Sequence, residues 1–178
     1  MRTFNRISAL LVLALQAYGQ LAITGAAQAE STTAAAPETS PADRASILRS
    51  MKIVTDSRGQ VENDCGERVT PRFLPADMGG AVGTAVLFVM DGGPNTASCY
   101  GDGPGLLLLM REGTGWREIY SSRGGYMAIL KTMHGGVRDI AFAGPGFQHP
   151  LWTWNGARFA LSKGTVSDAQ TSSATILP

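Results

Sequence analysis

Leu151-Trp152-Thr153-Trp154-Asn155-Gly156-Ala157-Arg158-Phe159-Ala160-Leu161 alternates apolar and other residues on both sides of an Asn-Gly pair. A period of two marks a half-buried strand, and Asn-Gly is the preferred two-residue hairpin turn because both positions need positive φ. The stretch predicts a β-hairpin. A two-residue turn pairs Trp154 with Ala157 and Trp152 with Phe159. Trp152, Trp154, Phe159 and Leu161 then share one face, with Thr153 and Arg158 on the other.

The same pattern runs outward from this hairpin. Apolar runs of strand length lie at Val69–Leu74, Thr84–Met90, Leu106–Met110, Trp116–Ser121, Tyr126–Lys131, Val137–Ala143, Leu151–Trp154 and Ala157–Leu161, separated by glycine-rich turns. Only Gly19 and Gly25 of the 22 glycines precede residue 30, a density that suits many tight turns. A second hairpin folds around Gly113-Thr114-Gly115, and its Leu106–Leu109 run predicts burial on both faces. Gly79-Gly80 and Gly135-Gly136 each precede a strand, a glycine-containing loop and a hairpin, which suggests two weakly similar β-modules.

Ahead of the strands, Ser40-Pro41-Ala42-Asp43 reads as a helix start, with Ser as N-cap, Pro at the first position and an acid in the first turn. Ala45, Leu48 and Met51 or Lys52 give the helix a weak apolar stripe that ends before Asp56-Ser57-Arg58-Gly59. The fold class is therefore mainly β: short antiparallel strands and hairpins in propeller-blade-like or sandwich-like modules, with one N-terminal helix. Residues 40–163 form the single β-rich domain, and the polar tail 164–178 is expected to be disordered.

Residues 1–29 have the layout of a secretory signal peptide. Arg2 and Arg6 open it, an apolar run spans Ile7 to Leu15, and Ala27-Gln28-Ala29 supplies a small-x-small cleavage site. Cleavage leaves about 150 residues, one domain's worth, starting with a low-complexity leader over 30–39. Such a protein is periplasmic or secreted. Fifteen Lys+Arg against 14 Asp+Glu give a net charge of +1 for the whole chain, and loss of Arg2 and Arg6 lowers it to about −1. No basic block remains, which argues against nucleic acid and anionic membranes as partners, and no later stretch is long and apolar enough for membrane insertion. Cys65 and Cys99, the only two cysteines, are expected to pair as a disulfide in an oxidising compartment.

Asp64-Cys65-Gly66 with Val69-Thr70-Pro71, then Asp77 opening a glycine-rich segment, Cys99-Tyr100-Gly101, Gly136-Val137-Arg138-Asp139-Ile140, Gly144-Pro145-Gly146-Phe147 and Trp152-Thr153-Trp154-Asn155-Gly156 follow a familiar order. Over Val61 to Leu161 the chain resembles a group of small exported bacterial β-proteins, largely uncharacterised, with modules similar to FG-GAP (integrin-α-type) repeats. Repeats of that type typically carry an Asp-x-Asn-x-Asp-Gly calcium loop. Here the matching Asp77-Met78-Gly79-Gly80-Ala81-Val82-Gly83 keeps a single carboxylate, too few oxygens for a hard cation. No metal and no cofactor is expected.

No hydrolase elbow, zincin helix or Cys/His cluster is present, so no catalytic residue is assigned. Weaker combinations are a Cys99–His149 nucleophile pair, a soft-metal set of Met127, Met133 and His134, and Asp91, Asp102 or Asp139 as paired acids. The feature with most to offer is aromatic. Phe147, Trp152 and Trp154, with Gln148 and His149 in the rigid Gly144–Pro150 loop and Tyr100 close by, are the candidate binding residues. Their rings either fill the core of a small β-domain or present a platform to a sugar or protein. The expectation is a non-catalytic envelope binding or interaction module whose partner is an envelope protein or glycan, a hydrolase inhibitor being one subtype. The alternative is a small hydrolase acting on cell-wall or other glycans.

Overall fold

The computed structural model describes residues 38–91, 99–101, 103–143 and 149–177. Residues 1–37, which hold the expected signal peptide and most of the expected leader, and Asp102, Phe147, Gln148 and Pro178 lie outside them. Helix α1 (Pro41–Ser50) starts where the sequence predicts, with the Ser40 hydroxyl accepting from Asp43 N–H at 3.1 Å. It ends in a Schellman motif: Ile53 N–H donates to Leu48 O and Lys52 N–H to Arg49 O. Lys52 takes the left-handed position at φ 57°. The buried face is centred on Ile47, flanked by Leu48 and Met51, while Ala45 is exposed. The expected stripe is thus rotated, because the larger side chains turn to the sheet.

A short hairpin follows, β1 (Val61–Glu62) with β2 (Arg68–Val69), then β3 (Arg72–Gly79), β4 (Gly83–Met90), β5 (Gly105–Glu112) and β6 (Gly115–Arg123). The predicted single strand Val69–Leu74 is in fact divided at Thr70-Pro71, since proline has no N–H for the ladder. The chain then forms β7 (Tyr126–His134), β8 (Val137–Ala143), β9 (His149–Trp154) and β10 (Phe159–Val166). A five-residue helix α2 (Asp168–Ser172) and β11 (Thr175–Leu177) complete it. All pairings are antiparallel, in one sheet ordered β3-β4-β5-β6 and another ordered β10-β9-β8-β7-β11. Each of β3–β6 and β7–β10 is an up-and-down meander of four strands. The fold is mainly β with an N-terminal helix, as the sequence predicts.

The tail corrects an expectation. Residues 164–177 are ordered: β10 runs through Val166, α2 carries a Ser167/Gln170 capping box, and β11 pairs with Met127–Ile129 of β7. Thr39, assigned to the flexible leader, is buried, and its hydroxyl donates to Phe73 O at 3.1 Å. Both ends of the expected domain therefore extend further than 40–163.

The two sheets pack face to face. Ala85, Leu87 and Val89 of β4 and Leu106 and Leu108 of β5 meet Met127, Ile129, Ile140, Trp154 and Phe159 of the other sheet in one buried cluster. Val86, Phe88 and Leu109 point the opposite way, into a second cluster with Ile47, Val61, Val69 and Trp116. The predicted two-faced burial of Leu106–Leu109 follows from that cover. Where the sheets meet, the β7–β8 turn reaches the β3–β4 turn. A Cβ on Gly80 would sit 2.5 Å from Gly136 O, so only glycine permits this approach.

The decisive hairpin differs in register. Trp154 lies opposite Phe159 and Trp152 opposite Leu161, leaving four residues, Asn155–Arg158, in the loop. Asn155 keeps a negative φ and uses its Oδ1 to accept from Ala157 N–H and Arg158 N–H at 3.0 and 2.9 Å. That Asx turn replaces the two-residue turn. The shift is by two residues, so the faces stay as predicted. Gly135-Gly136 is the pair that makes a two-residue turn with positive φ at both positions, 59° and 76°.

Candidate functional site

The aromatic face of the Trp hairpin points inward. Trp154 and Phe159 are core residues with ring centroids 5.6 Å apart. Trp152 is half-buried and meets Tyr120 edge-on at 4.9 Å, while Tyr120 stacks on Phe142 at 4.6 Å. Burial pushes the Tyr120 hydroxyl up to about 12. Of the two readings of this face, core is the one observed, so Trp152 and Trp154 do not form an exposed platform. The rings pack against the facing sheet in the same buried cluster as its small Ala76 and Ala85 and its larger Leu87, Val89, Leu106 and Leu108. His149 sits at the start of β9 with its Nδ1–H donating to Phe142 O at 3.0 Å. Phe147 and Gln148 lie outside the described residues.

Tyr100 has a different setting. It is 5% exposed and far from the Trp hairpin in the strand order, on the side of the β3–β6 sheet that α1 covers. Cys65 and Cys99 are bonded as expected, with Cα atoms 5.6 Å apart. The bridge ties the β1–β2 turn to the segment carrying Tyr100. Asp64 N–H donates to the Tyr100 hydroxyl at 3.2 Å, and burial raises the pKa of that phenol. The ring lies on Gly105, where a Cβ would be 2.8 Å from it.

Beside Tyr100 opens a groove of about 610 Å³. Its apolar part comes from Met51 and Ile53 after α1, Met90 at the end of β4 and Leu107 of β5. Its polar part comes from Glu62 and Asp64 on the β1–β2 hairpin, and Glu118, Ser121 and Arg123 on β6. Glu62 pairs with Arg68 at 3.3 Å and Asp64 with Arg123 at 3.0 Å, whereas Glu118 accepts from the Ser121 hydroxyl at 2.7 Å. The Schellman motif matters here, since it turns Met51 and Ile53 toward the sheet. Apolar floor plus a few placed polar groups is the usual make-up of a ligand site, and the volume lies within the usual range of about 300–1,000 Å³.

The weaker sequence candidates are not brought together. Cys99 is in the disulfide and His149 is bonded to the β8 backbone. Met127 is fully buried, while Met133, six residues along the same strand, is half exposed. Asp91 pairs with Arg72 at 3.3 Å, and Asp102 is outside the described residues. Asp139 is fully buried in the other sheet, where His134 Nδ1–H donates to it at 2.7 Å. Asp139 lies across from the β7 bulge between Ile129 and Met133, and His134 satisfies only its Oδ1; Oδ2 is buried with no hydrogen-bond partner among the described residues. Asp77, the remnant of the calcium-loop pattern, accepts from Gly79 N–H at 3.2 Å and lies 3.8 Å from Arg138. Among the described residues, no three His, Cys, Asp or Glu side chains gather as metal ligands would, and no helix is long and apolar enough to cross a membrane.

Sequence reasoning paired the cysteines, but it set Tyr100 beside the Trp hairpin, where it does not lie, and gave no signal for Met51, Ile53, Met90, Glu62 or Glu118 as its neighbours. Those residues come from chain segments that nothing local links, so no spacing reveals them. Comparisons of the chain with known protein families, with curated proteins and with solved structures give no match.

Proposed function

We propose that this chain is an exported, non-catalytic envelope protein that binds a partner through the groove beside Tyr100. The single observation behind this reading is the groove itself: its volume, its apolar floor, and the carboxylates at its rim, Asp64 beside the disulfide and Glu118 on β6. A segment of an envelope protein, or a glycan bearing an amine, that offers an apolar body and one basic group suits that lining. Glu118 is the rim acid that, among the described residues, forms no ion pair with arginine or lysine. Export to the periplasm or beyond is supported by the signal-like residues 1–29 and by the disulfide. The tandem four-stranded meanders support the likeness to FG-GAP-type blade modules, without the calcium loop.

A glycan hydrolase would need two carboxylates facing one bond, one of them desolvated enough to stay protonated. Glu62, Asp64 and Glu118 are exposed, and the first two are paired with arginines, which suits binding better.

The test is capture from envelope extract by the chain lacking residues 1–29, with Glu118→Arg and His149→Ala/Gln148→Ala variants alongside. The expected result is a partner retained by the native protein and the loop variant, lost with Glu118→Arg, and then bound directly when purified. Loss with the loop variant alone would return the site to the Trp hairpin.

A further inference from the structure

The Cys65–Cys99 bond lies outside both large sheets. It joins the tip of the β1–β2 hairpin to the residue before Tyr100, and neither cysteine belongs to a buried cluster. Cys65 is an exposed residue and Cys99 a half-buried one. Its two neighbours are the groove's own wall. Asp64 and Tyr100 both line the groove, and the Asp64 amide donates to the Tyr100 hydroxyl. Asp64 also holds Arg123, the last residue of β6, at 3.0 Å. The base of the hairpin is held differently, through buried Val61 and Val69 packed beneath α1. Opening the bond leaves the tip held by these two non-covalent contacts of Asp64, while the base stays docked.

We propose that the Cys65–Cys99 disulfide is a redox latch on the groove, which a dithiol opens with loss of ligand and without unfolding the two-sheet body. This rests on the groove being the ligand site. In the opening step one thiolate of the dithiol attacks a cysteine sulfur and forms a mixed disulfide. The second thiolate resolves it, so the dithiol becomes a cyclic disulfide while two electrons and two protons end on Cys65 and Cys99. With the bond open, nothing covalent keeps Asp64 against Tyr100, and the wall loses its fixed spacing.

The methionines make this measurable. Met51 and Met90 line the groove, whereas Met78 and Met127 are fully buried between the sheets. The protein from residue 30 onward, labelled with ¹³C at its methionine methyls, is titrated with octylammonium, an alkyl chain bearing one cation. The titration is repeated after dithiothreitol. In the oxidised protein, Met51 and Met90 signals shift saturably and Met78 and Met127 signals do not. After reduction, the affinity read at Met51 and Met90 falls at least tenfold with Met78 and Met127 unmoved. Unchanged affinity overturns the latch, and so does collapse of the Met78 and Met127 signals, which would make the bond a simple stability clamp. If octylammonium shifts nothing in the oxidised protein, the ligand reading is what fails. The latch is still judged by hydrogen exchange at the Asp64 amide, which is expected to quicken at least tenfold on reduction and overturns the latch if it does not.

Discussion

The meanders β3–β6 and β7–β10 run through the same strand order, yet their outer faces are unlike. Outside β3–β6 lie α1 and the β1–β2 hairpin, and beneath them Val86, Phe88, Leu109 and Trp116 are buried. Consequently Val86-Leu87-Phe88-Val89 is buried residue after residue. Outside β7–β10 the cover is α2 and the approach to β11, over the smaller set Ala128, Leu130, Ala141 and Val166. No residue of α2 itself is buried. One sheet is thus a central layer, the other nearly an outer wall. The groove belongs to the first because only there does a helix meet a hairpin over a sheet and leave a step between them.

This contrast predicts unequal costs for comparable cuts. Phe88→Ala, on the covered outer face of β4, should lose about 3–5 kcal/mol. Leu151→Ala, half-buried on the outer face of β9, should lose about 1–2 kcal/mol. Urea unfolding of both variants measures the pair, and equal losses would mean that the two outer faces are equally load-carrying.

A second cut tests how the meanders join. Gly80→Ala places a Cβ 2.5 Å from Gly136 O and also forces a side chain into φ 51°. Overpacking of about 1–3 kcal/mol adds to about 1 kcal/mol for the left-handed backbone. Gly59→Ala is the matched control, at φ 76° with no atom within 4 Å of the added carbon, and should show the backbone share alone. If both variants fall equally in thermal melts, the turn-to-turn approach contributes nothing.

Much of this comparison was legible in the chain. The Leu106–Leu109 run announces two-faced burial by being apolar without interruption, whereas Leu151–Leu161 alternates and so announces one buried face. The hairpin register was not legible, because Asn155 can satisfy a turn with either its backbone or its side chain. Nor was the order of the tail: Ser167-Asp168-Ala169-Gln170 carries a capping box that small polar neighbours disguise, and Thr175–Leu177 is too short to read as a strand without its partner β7. The aromatic residues were legible as a cluster but not as core or surface, since that depends on which sheet faces them. The groove lay beyond sequence altogether apart from the disulfide beside it, for Tyr100 was read as a neighbour of the Trp hairpin.

The cover of the first sheet can also be improved. Lys52 occupies the left-handed position that closes α1, where glycine is the usual residue. Lys52→Gly should stabilise the protein by about 0.5–1 kcal/mol in chemical denaturation, by relieving the backbone there. A loss instead would show that the lysine side chain contributes more than its backbone costs.

The smallest effect concerns how α1 is fastened at its other end. Arg111 of β5 lies over the Trp116 ring at 4.6 Å and forms an ion pair with Asp43. The hydrogen bond from Arg111 lowers the Asp43 pKa against desolvation, the next largest influence, and the Ser40 hydrogen bond and the Arg111 charge add to the lowering. A carboxylate whose folded pKa lies below its unfolded value stabilises at pH above the unfolded value, about 4, and loses that contribution as pH falls through the lower folded one. Both side chains are partly exposed, so the contribution is no more than about 0.5 kcal/mol. Thermal melts of the native protein and Asp43→Asn should therefore differ slightly at pH 6 and converge in the acid range below pH 4. Trp116, beneath Arg111, lends a local signal, because loss of the pair should change its fluorescence before the sheets unfold. No difference at either pH would mean that α1 is held to β5 and β6 by its buried face alone, with Ile47 rather than Asp43 fixing the cover.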